Sequence, residues 1–158
     1  MSSTPSLSKA ILATGFLAGT LDALTASVQF LISSGGKNPA LVFRYVASGV
    51  FGKDAFTSDL LTMASFGLFF HYCIALTYTA FYFLVLAKLF PLIKHKIISG
   101  ICYGLAVWAM MKFVVLPLSK VPPNPSTFTK SIVAATILVL MIGLPISIGA
   151  SRYYSKLK

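Results

Sequence analysis

Four apolar stretches of about twenty residues or more, parted by polar or proline-bearing segments, set the plan of this chain. They run over about 9–32, 62–87, 97–118 and 130–151. At 1.5 Å per residue each is long enough to cross about 30 Å of hydrocarbon. The first outer connection carries a shorter apolar stretch, about 39–49. Asn38 suits a helix cap there, Pro39 the first helical position and Gly49 the end. This element is too short to span, so it is expected to lie in the interface or to dip back between the spans. The expected fold is all-α: an integral membrane bundle of four transmembrane helices with a short interfacial or re-entrant helix after the first span. Residues 1–158 form one such domain.

Composition sharpens this reading. The chain of 158 residues is 57% hydrophobic and 10% charged, with mean hydropathy +0.87. Soluble domains carry about 25% charged residues. The net charge of +10 does not point to nucleic acid, because the basic residues punctuate the ends of apolar runs and form no stripe interleaved with aromatics. Seven of them fall on the side of the termini: Lys9, Lys88, Lys94, Lys96, Arg152, Lys156 and Lys158. Five fall on the other side: Lys37, Arg44, Lys53, Lys120 and Lys130. The excess, with three lysines in the short Lys88–Lys96 loop, places both termini in the cytoplasm. Tyr153 and Tyr154 beside Arg152 suit an interfacial anchor. Asp22 interrupts the first run, which is longer than a signal-peptide core and is read as a retained helix. Cys73 and Cys102 lie inside apolar runs without metal or redox spacing and are expected to be buried, reduced packing residues.

Polar residues inside spans are the candidates for chemistry. The acids number three, and Asp22 is the one within a span. A carboxylate in hydrocarbon is expensive and needs a partner, a proton or a task. Gly15, Gly19, Asp22, Ala26 and Gln29 repeat at four, three, four and three residues, which is one helix face. Gly15 and Gly19 form a GxxxG that admits a neighbouring helix. In the third run Gly100, Gly104, Trp108 and Lys112 recur at i+4. In the second, His71, Tyr78 and Tyr82 share a face, with Gly67 one turn before. Counting along the helices puts Asp22, His71 and Lys112 about 2, 5 and 7 Å outward of the midplane. A polar cluster of Asp22, His71 and Lys112 is therefore expected, with Gln29, Tyr78 and Arg44 close by. Two alternatives stand: Lys112 could snorkel to the headgroups, and His71 could be a core histidine bonded to a backbone carbonyl. Pro145 removes a hydrogen bond to the carbonyl of Met141 and is expected to kink the fourth helix near Gly143. The segment Ser119–Pro125 reads as stiff and extended.

Nucleophile elbow, HExxH, P-loop and dinucleotide fingerprints are missing from the sequence, and there is no glutamate. No enzyme, catalytic set, cofactor or metal site is expected. From Phe70 to Pro123 the chain resembles the YagU-like family of small bacterial inner-membrane proteins. The residues that carry the likeness are His71 in an aromatic-rich span, Phe90-Pro91-Leu92-Ile93-Lys94, Gly100 with Gly104, Pro117-Leu118 and Pro122-Pro123. The resemblance implies a four-span protein of the bacterial inner membrane, with no substrate or catalytic residues to carry over. The functional expectation is a proton-linked transporter or ion-conducting protein built on the Asp22 cluster. The alternative is a structural or accessory subunit in which the cluster joins helices. Four spans are few for a pathway, so the expected partners, besides the lipid bilayer, are further copies or a larger membrane protein.

Overall fold

The structure is a computed structural model that describes residues 6–87, 95–122 and 127–157. Six helices, and no strand, occur among the described residues. Helix α1 covers Leu7–Ser33, α2 Ala40–Phe51 and the single turn α3 Asp54–Thr57. The remaining three are long: α4 Leu60–Leu86, α5 Lys96–Leu118 and α6 Phe128–Ser155. α1, α4, α5 and α6 are each long and apolar enough to cross a membrane. The lysines and prolines expected at Lys88, Lys94 and Phe90–Lys94, and the Pro123–Pro125 part of the last loop, lie outside the described residues.

Capping explains several helix starts. The Ser6 hydroxyl accepts the Lys9 N–H (3.4 Å) and Thr127 that of Lys130 (3.5 Å). Asp59 accepts from both the backbone N–H and the hydroxyl of Thr62, at 2.8 and 2.9 Å. These bonds favour the ionised form and hold the Asp59 carboxyl below the usual carboxylate range. The stabilisation is thus present above the ordinary carboxylate pKa and is lost as pH falls through the depressed value. Inside α1, Thr25 and Ser27 donate back to the carbonyls of Leu21 and Ala23 (2.8 and 2.7 Å), so neither needs an outside partner.

The four long helices run antiparallel to their chain neighbours. Gly15 lies against Leu76 and Thr79, and Gly19 against Tyr72 and Ala75, which pairs α1 with α4. Gly100 and Gly104 meet Gly143, Leu144 and Val139, which pairs α5 with α6. Gly149 meets Thr14 and closes α6 on α1. Small residues sit at these crossings because lipid leaves little hydrophobic drive between helices, so close backbone approach must supply the packing. The core contains Ala18, Tyr82, Phe83, Val107, Ile142 and Ile146, whereas Leu17, Leu24, Phe69 and Phe113 point outward. Cys73 and Cys102 are also exposed free thiols, against the expectation of burial. In a membrane the outside is as apolar as the inside, so apolar character does not tell the two faces apart.

Helix α2 differs in detail from its expected form. The Asn38 carboxamide oxygen accepts the Ala40 N–H at 2.9 Å, but Gly49 lies within the helix. The helix ends at Phe51, where Gly52 takes a φ of +62°, a region that favours glycine. α2 packs closely on α4: Phe51 meets Phe66 and Phe70 with ring centroids 5.5 and 6.1 Å apart, and Phe43 meets His71 at 6.2 Å. Gly67 faces the Phe43 backbone, about 10 Å along α4 from its start. The far end of α2 is fixed to the segment after α5, where the Lys120 N–H donates to the Gly49 carbonyl at 2.9 Å.

Three of the long helices contain a π-helical turn: Tyr82–Leu86 in α4, Met111–Val115 in α5 and Val139–Gly143 in α6. Two of them contain the residue four before a proline, Phe113 before Pro117 and Met141 before Pro145. A wider turn absorbs the hydrogen bond that the proline nitrogen cannot make. A π-turn thus occupies the place near Gly143 where a kink is expected. No proline among the described residues follows Tyr82–Leu86 so closely, and this turn has a different setting, described below.

Candidate functional site

Asp22 and His71 line one cavity of about 90 Å³. Its wall draws on all four long helices and α2: Val46, Tyr78, Val107, Met111 and Ile142 complete much of it. Asp22 reaches this point because it follows Gly15 by seven residues, which returns a helix to within about 20° of the same direction. His71 faces the carboxylate across this cavity. Its Nε2 lies 2.9 Å from the Gly19 carbonyl oxygen. A carbonyl can only accept, so Nε2 carries a proton and donates. Nδ1 is then the nitrogen at which a neutral ring gains a second proton. The next residue makes a second link between the same helices, Tyr72 to Thr20 through their hydroxyls at 2.9 Å.

The other residues expected here lie elsewhere. The Lys112 amine donates to the Ser131 hydroxyl at 2.6 Å and sits over the Trp108 ring at 5.1 Å. It does not line the cavity, where Met111 takes the corresponding place. The reason is geometric. Each i+4 step overshoots a turn by about 40°, so twelve residues from Gly100 turn Lys112 by about 120°. The inward face of α5 instead follows Ser99, Gly100, Tyr103, Gly104 and Val107. Gln29 shares the Asp22 face but is exposed, about 10 Å farther along α1. Arg44 turns to α3: its guanidinium donates to the carbonyls of Ala55 (2.7 Å), Phe56 and Ser58 (3.3 Å) and lies over the Phe56 ring. These carbonyls end a helical turn and have no helical partner of their own. Tyr78 does line the cavity, and its backbone carbonyl accepts the Tyr103 hydroxyl at 2.6 Å. The described residues therefore bring together Asp22, His71 and Tyr78, not a three-way cluster of charges.

A second polar feature, which the hydropathy pattern does not announce, occupies the half of the bundle toward the termini. Tyr82, Ser99 and Ser147 are almost wholly buried and joined by hydrogen bonds. Their direction follows from the protons at hand. Ser147 spends its one proton on the Lys96 carbonyl (2.7 Å), so at 3.0 Å it accepts from Tyr82. Tyr82 thereby uses its own proton and accepts from Ser99 at 2.5 Å. Tyr82 opens the π-turn of α4, and Phe83 within that turn gives its carbonyl to the Tyr154 hydroxyl at 2.7 Å. Here the freed backbone of a wide turn is used by another helix. Tyr82 is legible in the sequence as part of an aromatic face, but serines in spans usually bond their own helix, so nothing marks Ser99 and Ser147 as partners. Tyr82→Phe is expected to lower stability by about 1–3 kcal/mol, because buried Ser99 loses its acceptor and Ser147 keeps only its bond to the Lys96 carbonyl. Unfolding by dodecyl sulfate in mixed micelles measures this; a change under about 0.5 kcal/mol would contradict the network.

Four apolar helices of membrane length around a small polar interior define a multi-pass helical-bundle membrane protein. No family model, no curated protein and no solved structure matches the chain.

Proposed function

We propose that this chain is a proton-linked transport or ion-conducting protein in which Asp22 and His71 take up and release a proton inside the bundle. The observation that supports this reading is their shared cavity: the one acid and the one histidine of the spans face the same space. Ionisable groups placed in spans are costly and commonly mark proton or ion paths. At about 30 Å³ per molecule the cavity has room for about three waters, which the carboxylate and the imidazole can bond. His71 keeps Nε2 on the Gly19 carbonyl, so in this reading its exchangeable proton is on Nδ1 and moves between the ring and Asp22 by way of the shared cavity. The chain acts in this reading in the bacterial inner membrane, as the resemblance to the YagU-like family implies, with cytoplasmic termini on the more basic side. Four spans leave little room for a pathway, so several copies or a larger partner complete it.

Proteoliposomes with an entrapped pH dye, under a potassium–valinomycin potential, provide the test. The parent protein is expected to admit protons faster than empty liposomes, and Asp22→Asn to fall to their level. Equal pH-dependent flux in both proteins would overturn the coupling role. A second reading is favoured by the bonds His71–Gly19 and Thr20–Tyr72: an accessory subunit whose polar residues join α1 to α4. It predicts no flux in the parent and a lower unfolding midpoint in Asp22→Asn.

A further inference from the structure

A groove of about 510 Å³ runs down the outside of the bundle between α1 and α6. Leu17, Leu21, Leu140, Leu144 and Ile148 line its length. Its floor closes where Gly149 touches Thr14: a Cβ on Gly149 would come within 2.6 Å of the Thr14 hydroxyl oxygen. From Ala10 to Leu21 the groove follows α1 for about 16 Å, close to one leaflet of a hydrocarbon core about 30 Å thick. At its end toward the termini stand Arg152 and Lys156, one turn apart and both exposed. Among the described residues no aspartate lies at that end. The chain has three acids; Asp54 and Asp59 belong to the opposite end of the bundle, and Asp22 lies beyond the inner end of the groove.

We propose that this groove is a binding site for an anionic phospholipid, with an acyl chain along the leucines and the headgroup phosphate on Arg152 and Lys156. Any apolar wall takes lipid without preference; the two cations at headgroup level select negative charge. A guanidinium can hold two phosphate oxygens at once, and the ammonium adds a point charge. A helix from a second copy fits the apolar length less well as occupant. Among the described residues, that copy's ends facing the same membrane surface carry Lys9, His95, Lys96, Arg152 and Lys156 and no aspartate, so it would bring positive charge to a positive mouth. The site stands independently of the proton-linked reading.

Native mass spectrometry of the detergent-purified full chain, titrated with phosphatidylglycerol or phosphatidylcholine, tests the site. The parent is expected to bind phosphatidylglycerol more tightly. The double variant Arg152→Gln, Lys156→Gln is expected to weaken it about 30-fold, two cations at about 1 kcal/mol each, with phosphatidylcholine unchanged. The matched pair Lys53→Gln, Lys120→Gln at the other end should change neither lipid. Ala13→Phe, which fills the groove from an exposed position, should weaken phosphatidylglycerol while leaving both cations in place. Equal binding of the two lipids by the parent, or the same loss in both double variants, would overturn the proposal. So would phosphatidylglycerol binding untouched by Ala13→Phe, or glycerol 3-phosphate binding as tightly as the lipid. A stable dimer that excludes lipid until it dissociates would assign the groove to a second copy instead.

Discussion

Gly67→Ala is expected to destabilise the protein by about 3 kcal/mol, at the upper end of what an added methyl costs a packed interior. The Cβ would run into the Phe43 backbone carbonyl, with the Phe43 carbonyl carbon and Cα also in its way. Backbone cannot rotate aside, so α2 and α4 must separate. That separation opens the contacts of Phe43 with His71 and of Phe51 with Phe66 and Phe70. In an exposed helix the same substitution would gain about 1 kcal/mol from propensity alone, so the sign itself is diagnostic of the crossing. Unfolding by dodecyl sulfate in mixed micelles gives the size. Gly15→Ala is the matched control: the nearest atom there is the end of the Leu76 side chain at 2.7 Å, which can swing away. A Gly67 variant no less stable than the Gly15 variant would refute the close packing of α2 on α4.

Gly143→Ala is expected to cost nearly as much, about 2–3 kcal/mol. Its Cβ would meet the Gly100 carbonyl oxygen, the Gly104 nitrogen at 2.7 Å and the Gly104 Cα at 2.8 Å, all backbone. Gly143 closes the π-turn ahead of Pro145, so α6 cannot readily shift its register to escape. The readout is again the unfolding midpoint. It can be joined by disulfide trapping between α5 and α6, whose rate should fall as the helices part. An unchanged midpoint would mean that α5 and α6 do not approach there.

Several features are legible in the residues alone. The four spans follow from length and hydropathy, because a bilayer admits only helices with every backbone group satisfied within the segment. The direction of Asp22 follows from a seven-residue spacing, which stays on one helix face. The Lys112 expectation fails on the same arithmetic, since three i+4 steps carry a side chain a third of the way round. The cysteines fail for a different reason. Burial is legible in a soluble protein because water rejects apolar side chains; lipid does not, and Cys73 and Cys102 can face it. What marks the helix crossings in this chain is glycine, at Gly15, Gly19, Gly67, Gly100, Gly104 and Gly143, whereas large side chains occur both in the core, as Tyr82 and Phe83, and outside, as Leu24 and Phe69.

The amino-acid sequence by itself determined the class of architecture, the number of spans and the presence of one costly acid on a packing face of the first. These depend on the distance across a bilayer, the rise of a helix and the cost of charge in hydrocarbon, all local quantities. Only the tertiary structure decided the partners. It put His71 with Asp22, gave Lys112 to Ser131 and Arg44 to the carbonyls of α3, and joined Tyr82 to Ser99 and Ser147 across three helices. Rotation about each helix axis makes those choices. Close contact at glycines sets that rotation, and a hydropathy pattern apolar on every side cannot encode it.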